Sequence, residues 1–366
     1  MPLTFEQAHK MFQQDKIREL AADANGLRFI KLRSLSRKEI LLRLLEENHL
    51  EAPHASGKVL FKAAFNSALT LPTIDTFIRH IFEQERAIRR EREADLINEL
   101  YQMQNFDWGG LHQNSLEKTI IDSYVKRITH YQELCERIEN ELQRSLRGYV
   151  LCSWYNHWTS IIIEDIFRDH PTVLPAVGLV KKIDFFIHDV PFDLKVTYLP
   201  EGYVSDARKA ASSRPELTLL KRAARQFNIP INTVLPANRL LEDLWHKVDD
   251  HPNAACQTLI QELREFRDEI VTDIQNHPEK LIKWLYEQQG IRRFDASNRL
   301  FLVLIDKRNY FESWKLKRAK PLLEAQIRAH LDHIGHVPGQ EVEFTWEDGN
   351  IYTVRADLVM VIHNAA

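Results

Sequence analysis

Apolar residues recur every three or four positions along most of the first 148 residues, a spacing that predicts helices. Residues 4–7 and 36–39 each have the Ser/Thr-x-x-Glu/Gln spacing of a capping box, which marks a helix start. An apolar run at 27–32 predicts a short extended piece. Two longer helices are expected at about 73–103 and 115–147, packed as an antiparallel pair.

The pattern changes after residue 148. A tryptophan-rich helix at 153–168 precedes two runs, 182–187 and 190–199, in which apolar and polar residues alternate. Such alternation is typical of strands buried on one face. The remaining elements that we expect are a polar helical stretch at about 203–290, an apolar strand at 300–305, a basic helix at 313–334 and a hairpin formed by 343–346 and 351–362.

The two alternating runs predict a hairpin that brings two acids together. A two-residue turn at 188–189 would join them, and the register that this turn sets puts Asp184 opposite Asp193. Their Cβ atoms would then lie roughly 5 Å apart. Lys195 stands two positions beyond Asp193 and shares its strand face. A turn one residue longer would destroy this arrangement.

Two facing carboxylates repel each other unless a cation lies between them. Hard divalent ions such as Mg²⁺ prefer carboxylate oxygens and keep waters for substrate phosphate. The preceding helix supplies a third acid, Glu164, beside its apolar stripe. The ammonium of Lys195 could orient or deprotonate a water, or stabilise charge that develops in the transition state. Asp193–Leu194–Lys195 is the only place in the chain where a lysine follows an acid by two positions.

A helix with Glu, a strand with Asp and a following strand with Asp-x-Lys resembles the signature of PD-(D/E)XK nucleases, the restriction-endonuclease-like superfamily. The resemblance covers about residues 150–200. It implies an α/β fold, with a mixed sheet core flanked by helices. It also implies that Asp184, Asp193 and Glu164 serve as metal ligands, and that these three act in catalysis with Lys195. The chain departs from the named motif at Ile183, where the motif has proline.

Composition and net charge limit the classes of protein to which this chain can belong. The chain has 366 residues, 44% of them hydrophobic and 28% charged, which is typical of a globular protein of two or three domains. The formal net charge of −3 counts against a protein that coats DNA indiscriminately, so nucleic-acid contacts must come from local patches. Three scattered cysteines favour neither a disulfide framework nor a thiolate zinc site. We expect a cytoplasmic protein without a membrane span.

Two basic stretches are candidates for contact with DNA phosphates, although a solvated helix face explains each of them equally well. Their basic residues are Arg208, Lys209, Arg214, Lys221, Arg222, Arg225, Lys315, Lys317 and Arg318.

The resemblance implies a Mg²⁺-dependent endonuclease, with Mn²⁺ as a possible substitute, that hydrolyses double-stranded DNA as a homodimer. We expect a restriction or phage-defence enzyme, and a repair or recombination nuclease is the alternative. A non-catalytic DNA-binding or protein-interaction module on the same fold is a further alternative. Residues 1–148 would form a helical region for recognition or dimerisation. Residues 149–366 would form the nuclease domain, with the helical stretch at about 203–290 as an insertion.

Overall fold

A six-stranded mixed β-sheet lies at the centre of the computed structural model, which describes residues 2–52, 56–107, 118, 120–180, 182–288 and 297–364. The strands are β1 (Val173–Val180), β2 (Ile183–Ile187), β3 (Val190–Tyr198), β4 (Asn298–Asp306), β5 (Gln340–Thr345) and β6 (Ile351–His363). Their spatial order is β1-β2-β3-β4-β6-β5. Strands β1 to β3 form an antiparallel meander, β3, β4 and β6 are parallel, and β5 runs against β6. The chain is therefore mixed α/β, as its sequence predicts.

Helices precede the sheet, follow β3 and follow β4. Those before the sheet are α1 (Phe5–Gln13), α2 (Ile17–Ala21), α3 (Ala24–Ser34), α4 (Lys38–Glu47), α5 (Gly57–Asn66), α6 (Leu71–Leu100), a π turn (Ile121–Val125) and α7. Helix α7 starts as an α-helix (Tyr131–Arg137), passes through a π turn (Ile138–Leu142) and continues as an α-helix (Gln143–Arg168). The later ones are α8 (Glu201–Ala210), α9 (Glu216–Gln226), α10 (Ala237–Asp249), α11 (Ala254–Asn276), α12 (Pro278–Glu287), a 3₁₀ segment (Tyr310–Arg318) and α13 (Lys320–Asp332).

Both faces of the sheet are covered by helices, which gives three layers. On one face, Leu300 and Leu302 of β4 share a buried cluster with Ile166 of α7 and Ile327 of α13. On the other face, the side chains that alternate with them, such as Phe301, join a cluster formed with α11 and α12. The N-terminal helices pack over β1 and β2 on that second face. The alternation of β4 between two apolar clusters explains why its sequence is an unbroken apolar run.

The N-terminal helices share a buried cluster with β1 and β2, and helix α7 continues across residue 148, where the sequence predicts a domain boundary. Helix α6 does lie against a second long helix in antiparallel fashion, but its partner is the last part of α7. Arg86 and Arg89 of α6 form ion pairs with Asp165 of α7, and farther along α6 the following loop places Phe106 against Tyr155. The helix expected at 115–147 is interrupted between its π turn and Tyr131.

Residues 27–32 are helical, so the expected extended piece is wrong. They lie within α3, whose start is capped by Asp23 accepting the N–H groups of Asn25 and Gly26. The helix is buried on most sides, which gives an apolar run resembling a strand. The capping box at residues 4–7 is confirmed, whereas the one at 36–39 does not form although α4 begins nearby.

Strand β1 contains an irregularity that brings it against α3. Its pairing with β2 shifts register between Pro175 and Val180. Gly178 lies within this bulge, and a Cβ atom placed on it would be 2.4 Å from the carbonyl oxygen of Ser34. A side chain at this position would therefore force the backbone of β1 away from α3.

We expect Gly178→Ala to lower the free energy of unfolding by about 1–3 kcal/mol, the usual cost of overpacking a filled interior. Gly57→Ala is the matched control, because a Cβ there meets nothing within 4 Å and alanine favours the first turn of α5. Chemical denaturation of both variants measures the difference. Equal stabilities would contradict the close packing of β1 on α3.

Candidate active site

The β2–β3 hairpin has the register that the alternation of its residues predicts. Its pairs are Phe185 with Phe192, Phe186 with Pro191 and Ile187 with Val190. The turn residues His188 and Asp189 have φ angles of 45° and 68°. Positive φ at both central positions is the requirement of a type I′ turn, whose twist matches that of the strands. This turn therefore fixes which residues of β3 lie beside Asp184.

Asp184 occupies a gap in the sheet. The regular pairs with β3 end at Phe185, and the register shift in β1 falls on the other side of the same residue. The side chain takes over one missing bond, since Oδ2 of Asp184 accepts the N–H of Leu194 at 2.7 Å. Arg168 of α7 donates to the carbonyl oxygen of Asp184 at 3.2 and 3.3 Å. Interrupted ladders of this kind re-aim side chains and are frequent beside active sites.

Asp193 and Lys195 lie on β3 next to this gap. Nζ of Lys195 is 2.6 Å from Oδ1 of Asp193, and 37% of the lysine side chain is exposed. The parallel pairing of β3 with β4 places Arg299 beside Asp193, with 4.0 Å between Nε and Oδ2. Asp193 is buried. Its carboxylate lies between the partly exposed ammonium of Lys195 and the buried guanidinium of Arg299.

Glu164 reaches the same region from α7. Its Oε2 atom is 2.7 Å from Nη2 of Arg168, one turn along the helix. Burial raises the pKa of the Glu164 carboxyl group, the charge of Arg168 opposes this, and the charge of Asp184 raises the pKa further. Arg168 thus contacts both Glu164 and the backbone of Asp184, and it joins the helix to the gap in the sheet.

The three acids are near enough to influence one another. Burial raises the pKa of the Asp184 carboxyl group, the bond from Leu194 lowers it, and the charge of Asp193 raises it again. In the part of the chain that the structure describes, no three His, Cys, Asp or Glu side chains come close enough to share one metal ion. Asp184 is a neighbour of both Glu164 and Asp193. Each of these two outer acids forms an ion pair with a cation, Glu164 with Arg168 and Asp193 with Lys195.

The residues that sequence reasoning missed are the two arginines, Arg168 and Arg299. Arg168 stands four positions after Glu164, a spacing that places both on one helix face and could have revealed the pair. Arg299 could not have been found, because its position beside Asp193 depends on the pairing of strands about a hundred residues apart.

A cavity of about 930 Å³ lies beside the hairpin, between it and the α1–α2 connection. Pro191 lines it and shares a face of β3 with Asp193. Its charged lining residues are Asp15, Lys16, Arg18, Glu19, Lys182, Asp189 and Arg355. The mixture of both signs is partly internal pairing, since Lys182 forms an ion pair with Asp15.

Five of the basic residues expected to contact DNA lie at the surface. Lys221 and Arg225 lie one turn apart on the side of α9 opposite its buried residues Leu220 and Ala223, and Arg214 is exposed just before the helix begins. Arg222 flanks this row, and Lys209 lies at the end of α8. None of the five forms an ion pair with another residue that the structure describes.

The other four basic residues have internal partners. Arg208 is buried, donates to the carbonyl oxygen of Arg214 at 2.7 Å and lies over the ring of Phe266. Lys315 pairs with Glu312.

Arg318 is buried and donates to the carbonyl oxygens of Leu100 and Met103, and buried Lys317 donates to Oδ1 of Asn156 at 2.8 Å. The expectation that Arg208, Lys317 and Arg318 face DNA is therefore corrected: they are enclosed by the protein. The neighbours of a basic residue in sequence do not show whether its charge is solvated or buried.

No family model matches this chain, and neither a curated protein nor a solved structure matches it significantly. The likeness to PD-(D/E)XK nucleases therefore rests on the residues and elements described above. Among the described helices, none is both long enough and apolar enough to cross a membrane.

The burial of Lys317 in the protein interior can be tested. Burial lowers its pKa from 10.5 to about 8. Because the pKa of Lys317 is lower in the folded state, the lysine does not reduce the free energy of unfolding above pH 10.5. That free energy falls as the pH falls from 10.5 towards 8, where the unfolded chain binds the proton more readily than the folded chain. We expect Lys317→Met to raise the free energy of unfolding by about 1–3 kcal/mol below pH 8, with the gain closing towards pH 10.5.

Urea unfolding across this pH range measures the difference, with Lys283→Met as control because Lys283 is exposed. A Lys317→Met protein that is less stable than the wild type at every pH would show that the ammonium is favourably solvated.

Proposed function

We propose that this protein is a Mg²⁺-dependent endonuclease of the PD-(D/E)XK type that hydrolyses DNA phosphodiester bonds. One observation carries the proposal: Asp184 lies in a gap of the sheet, its carboxylate bonded to the strand that bears Asp193 and Lys195. A half-buried acid at an interrupted ladder, next to a second acid, costs stability even though it accepts one strand hydrogen bond. Such sites are where function is sought.

The order of the elements supports the same proposal. Helix α7 with Glu164 precedes an antiparallel meander in which β2 bears Asp184 and β3 bears Asp193 and Lys195. This is the sequence of helix and strands that the resemblance to the nuclease superfamily implies. Strand β4 then adds in parallel to β3, after the helices α8 to α12.

The donor set suits a hard divalent cation. Carboxylate oxygens are the ligands that Mg²⁺ prefers. Asp184 and Asp193 would hold the ion, and Glu164 would support it from α7. Only Oδ2 of Asp184 is used by Leu194, so Oδ1 can serve as a ligand. When bound, the ion would polarise the scissile phosphate and lower the pKa of a coordinated water.

The protein's own groups have separate tasks in this proposal. Lys195 lies at the surface end of the site, where its ammonium can orient the attacking water or neutralise charge on the phosphate. Arg168 holds Glu164 and the Asp184 backbone in fixed relation. Asp193 must exchange its bond to Lys195 for the ion, which frees the lysine for the substrate.

The basic row on α9 supports a nucleic-acid substrate. Lys221, Arg222 and Arg225 face away from the buried side of α9, and Arg214 is exposed just before that helix begins. Cations without acidic partners are free to neutralise phosphates, which supplies most of the affinity of non-specific DNA binding. Double-stranded DNA in the cytoplasm is the proposed substrate, with restriction or phage defence as the proposed setting and repair or recombination as the alternative.

A second candidate is a non-catalytic DNA-binding or protein-interaction module on the same fold. It is favoured by the ion pairs of Glu164 with Arg168 and of Asp193 with Lys195, which already compensate two of the acids. In that case the three acids and their paired cations would form a structural cluster, and binding through α9 would be the whole activity.

Cleavage of plasmid DNA tests the catalytic role of Lys195. We expect Lys195→Ala to lower Mg²⁺-dependent cleavage at least about a hundredfold, because a charge stabiliser of the transition state is lost, while DNA binding changes little. Lys283→Ala is the control, since it removes an exposed lysine of the same kind on α12.

Calorimetric titration with Ca²⁺ separates the metal site from the chemistry, with at least about tenfold weaker binding expected for Asp193→Asn. Equal cleavage by the wild type and Lys195→Ala rejects the assignment. A wild type that binds DNA but cuts it with neither Mg²⁺ nor Mn²⁺ supports the non-catalytic module.

Salt-dependent DNA binding tests the row on α9. The double variant Arg222→Gln/Arg225→Gln should bind more weakly, and the slope of log K against log salt should fall by about 2, because two phosphate contacts are lost. The double variant Arg43→Gln/Arg328→Gln is the control of equal charge, since both arginines pair with glutamates. Equal slopes for the two double variants would show that only overall charge matters.

A further inference from the structure

The first half of α7 contributes nothing to the core. None of residues 131–151 is buried, and the first buried side chain of the helix is Cys152. Isolated helices of such length are marginal in water, since most helical stability in proteins comes from packing of an apolar face. Arg137 lies over the buried ring of Tyr124, so the segment has some contacts within the chain, but its apolar side chains remain partly exposed.

The segment carries a stripe of large apolar residues at spacings of three and four, which places them on one side. They are Tyr131, Leu134, Ile138, Leu142 and Leu146. A step of four residues overshoots an α-helical turn by about 40°. The wider π turn at Ile138–Leu142 compensates for this drift at the centre of the stripe. Tyr131 is 82% exposed and Leu146 is 37% exposed, and the others are half-buried.

The stripe has the same spacing when read from either end. Asn140 is its centre, with Ile138 and Leu142 two positions away on either side. The next residues outward are Leu134 and Leu146, which also stand at equal distances from the centre. Two such helices in antiparallel orientation would place Leu134 against Leu146 of the partner subunit, so the stripe is self-complementary.

Charge favours the same orientation. Residues 131–141 contain four glutamates and one arginine, whereas residues 142–151 contain two arginines and no acid. Antiparallel pairing brings the acidic half of one helix beside the basic half of the other. Parallel pairing would bring like halves together, and like charges repel.

We propose that two copies of this chain associate through residues 131–151, packed antiparallel about a two-fold axis that passes Asn140. The contact is isologous, so it closes as a dimer and does not propagate. The proposal rests on this segment alone and does not depend on the nuclease assignment. If both hold, the dimer presents two sites related by symmetry, as cutting both strands of a duplex requires.

Cross-linking of single-cysteine chains tests the orientation. Two proteins are made in a Cys135→Ser background, one with Leu134→Cys and the other with Leu146→Cys. The remaining cysteines, Cys152 and Cys256, are buried. After oxidation, the mixture of the two proteins should give a disulfide-linked dimer on a non-reducing gel, while each protein alone should give none. A disulfide needs Cα atoms within about 7 Å, which only neighbours in the interface reach.

Sedimentation of the protein without added cysteines measures the association itself. Leu142→Glu should weaken the dimer by about tenfold or more, since it puts a charge at the centre of the apolar contact. Gln143→Glu adds the same charge to the adjacent exposed position and should leave the dimer intact. A wild type that is monomeric throughout a dilution series overturns the proposal. So does cross-linking of the Leu134→Cys protein with itself, which would indicate parallel pairing.

Discussion

The ammonium group of Lys31 is fully buried and forms ion pairs with Asp75 at 2.8 Å and with Asp189 at 2.5 Å. A buried charge is tolerated only when it has partners. One of these partners lies in the turn of the β2–β3 hairpin, so the need to compensate Lys31 fastens that turn to α3 and α6. These ion pairs hold the hairpin in one position and one register. A slip of a single residue would remove Asp189 from Lys31 and turn Asp184 to the opposite face of the sheet.

The candidate site depends on this fixed hairpin and adds a cost of its own. Glu164, Asp184 and Asp193 approach one another where two strand ladders are interrupted, and burial raises the pKa of the first two. Arg168 offsets part of this repulsion and also occupies the carbonyl of Asp184. The acids, their compensating cations and the gap in the sheet form one arrangement, and the proposed function uses it as a site for a cation and a phosphate.

Basic residues in this chain serve two different purposes. Arg86, Arg267 and Arg318 are buried and tie helices together through carboxylates or backbone carbonyls. Among the residues that the structure describes, the basic side chains of α9 have no such partners, and they face away from its buried side. A count of lysines and arginines therefore says little about nucleic-acid binding, because the interior uses many of them. The distribution of acids around each basic residue decides which of them are available to a polyanion.

The sequence by itself determined the local features: the hairpin with its register, the strand β4, the last hairpin and most helices, because period-two and period-3.6 patterns are properties of short stretches of chain. It also placed Asp184 beside the strand of Asp193 and Lys195. Only the tertiary structure decided that residues 27–32 are helical, that Arg168 and Arg299 join the site, and that Lys317 is buried. Those outcomes depend on which distant elements pack together, and burial of a helix or a cation is set by those partners and not by its neighbours in sequence.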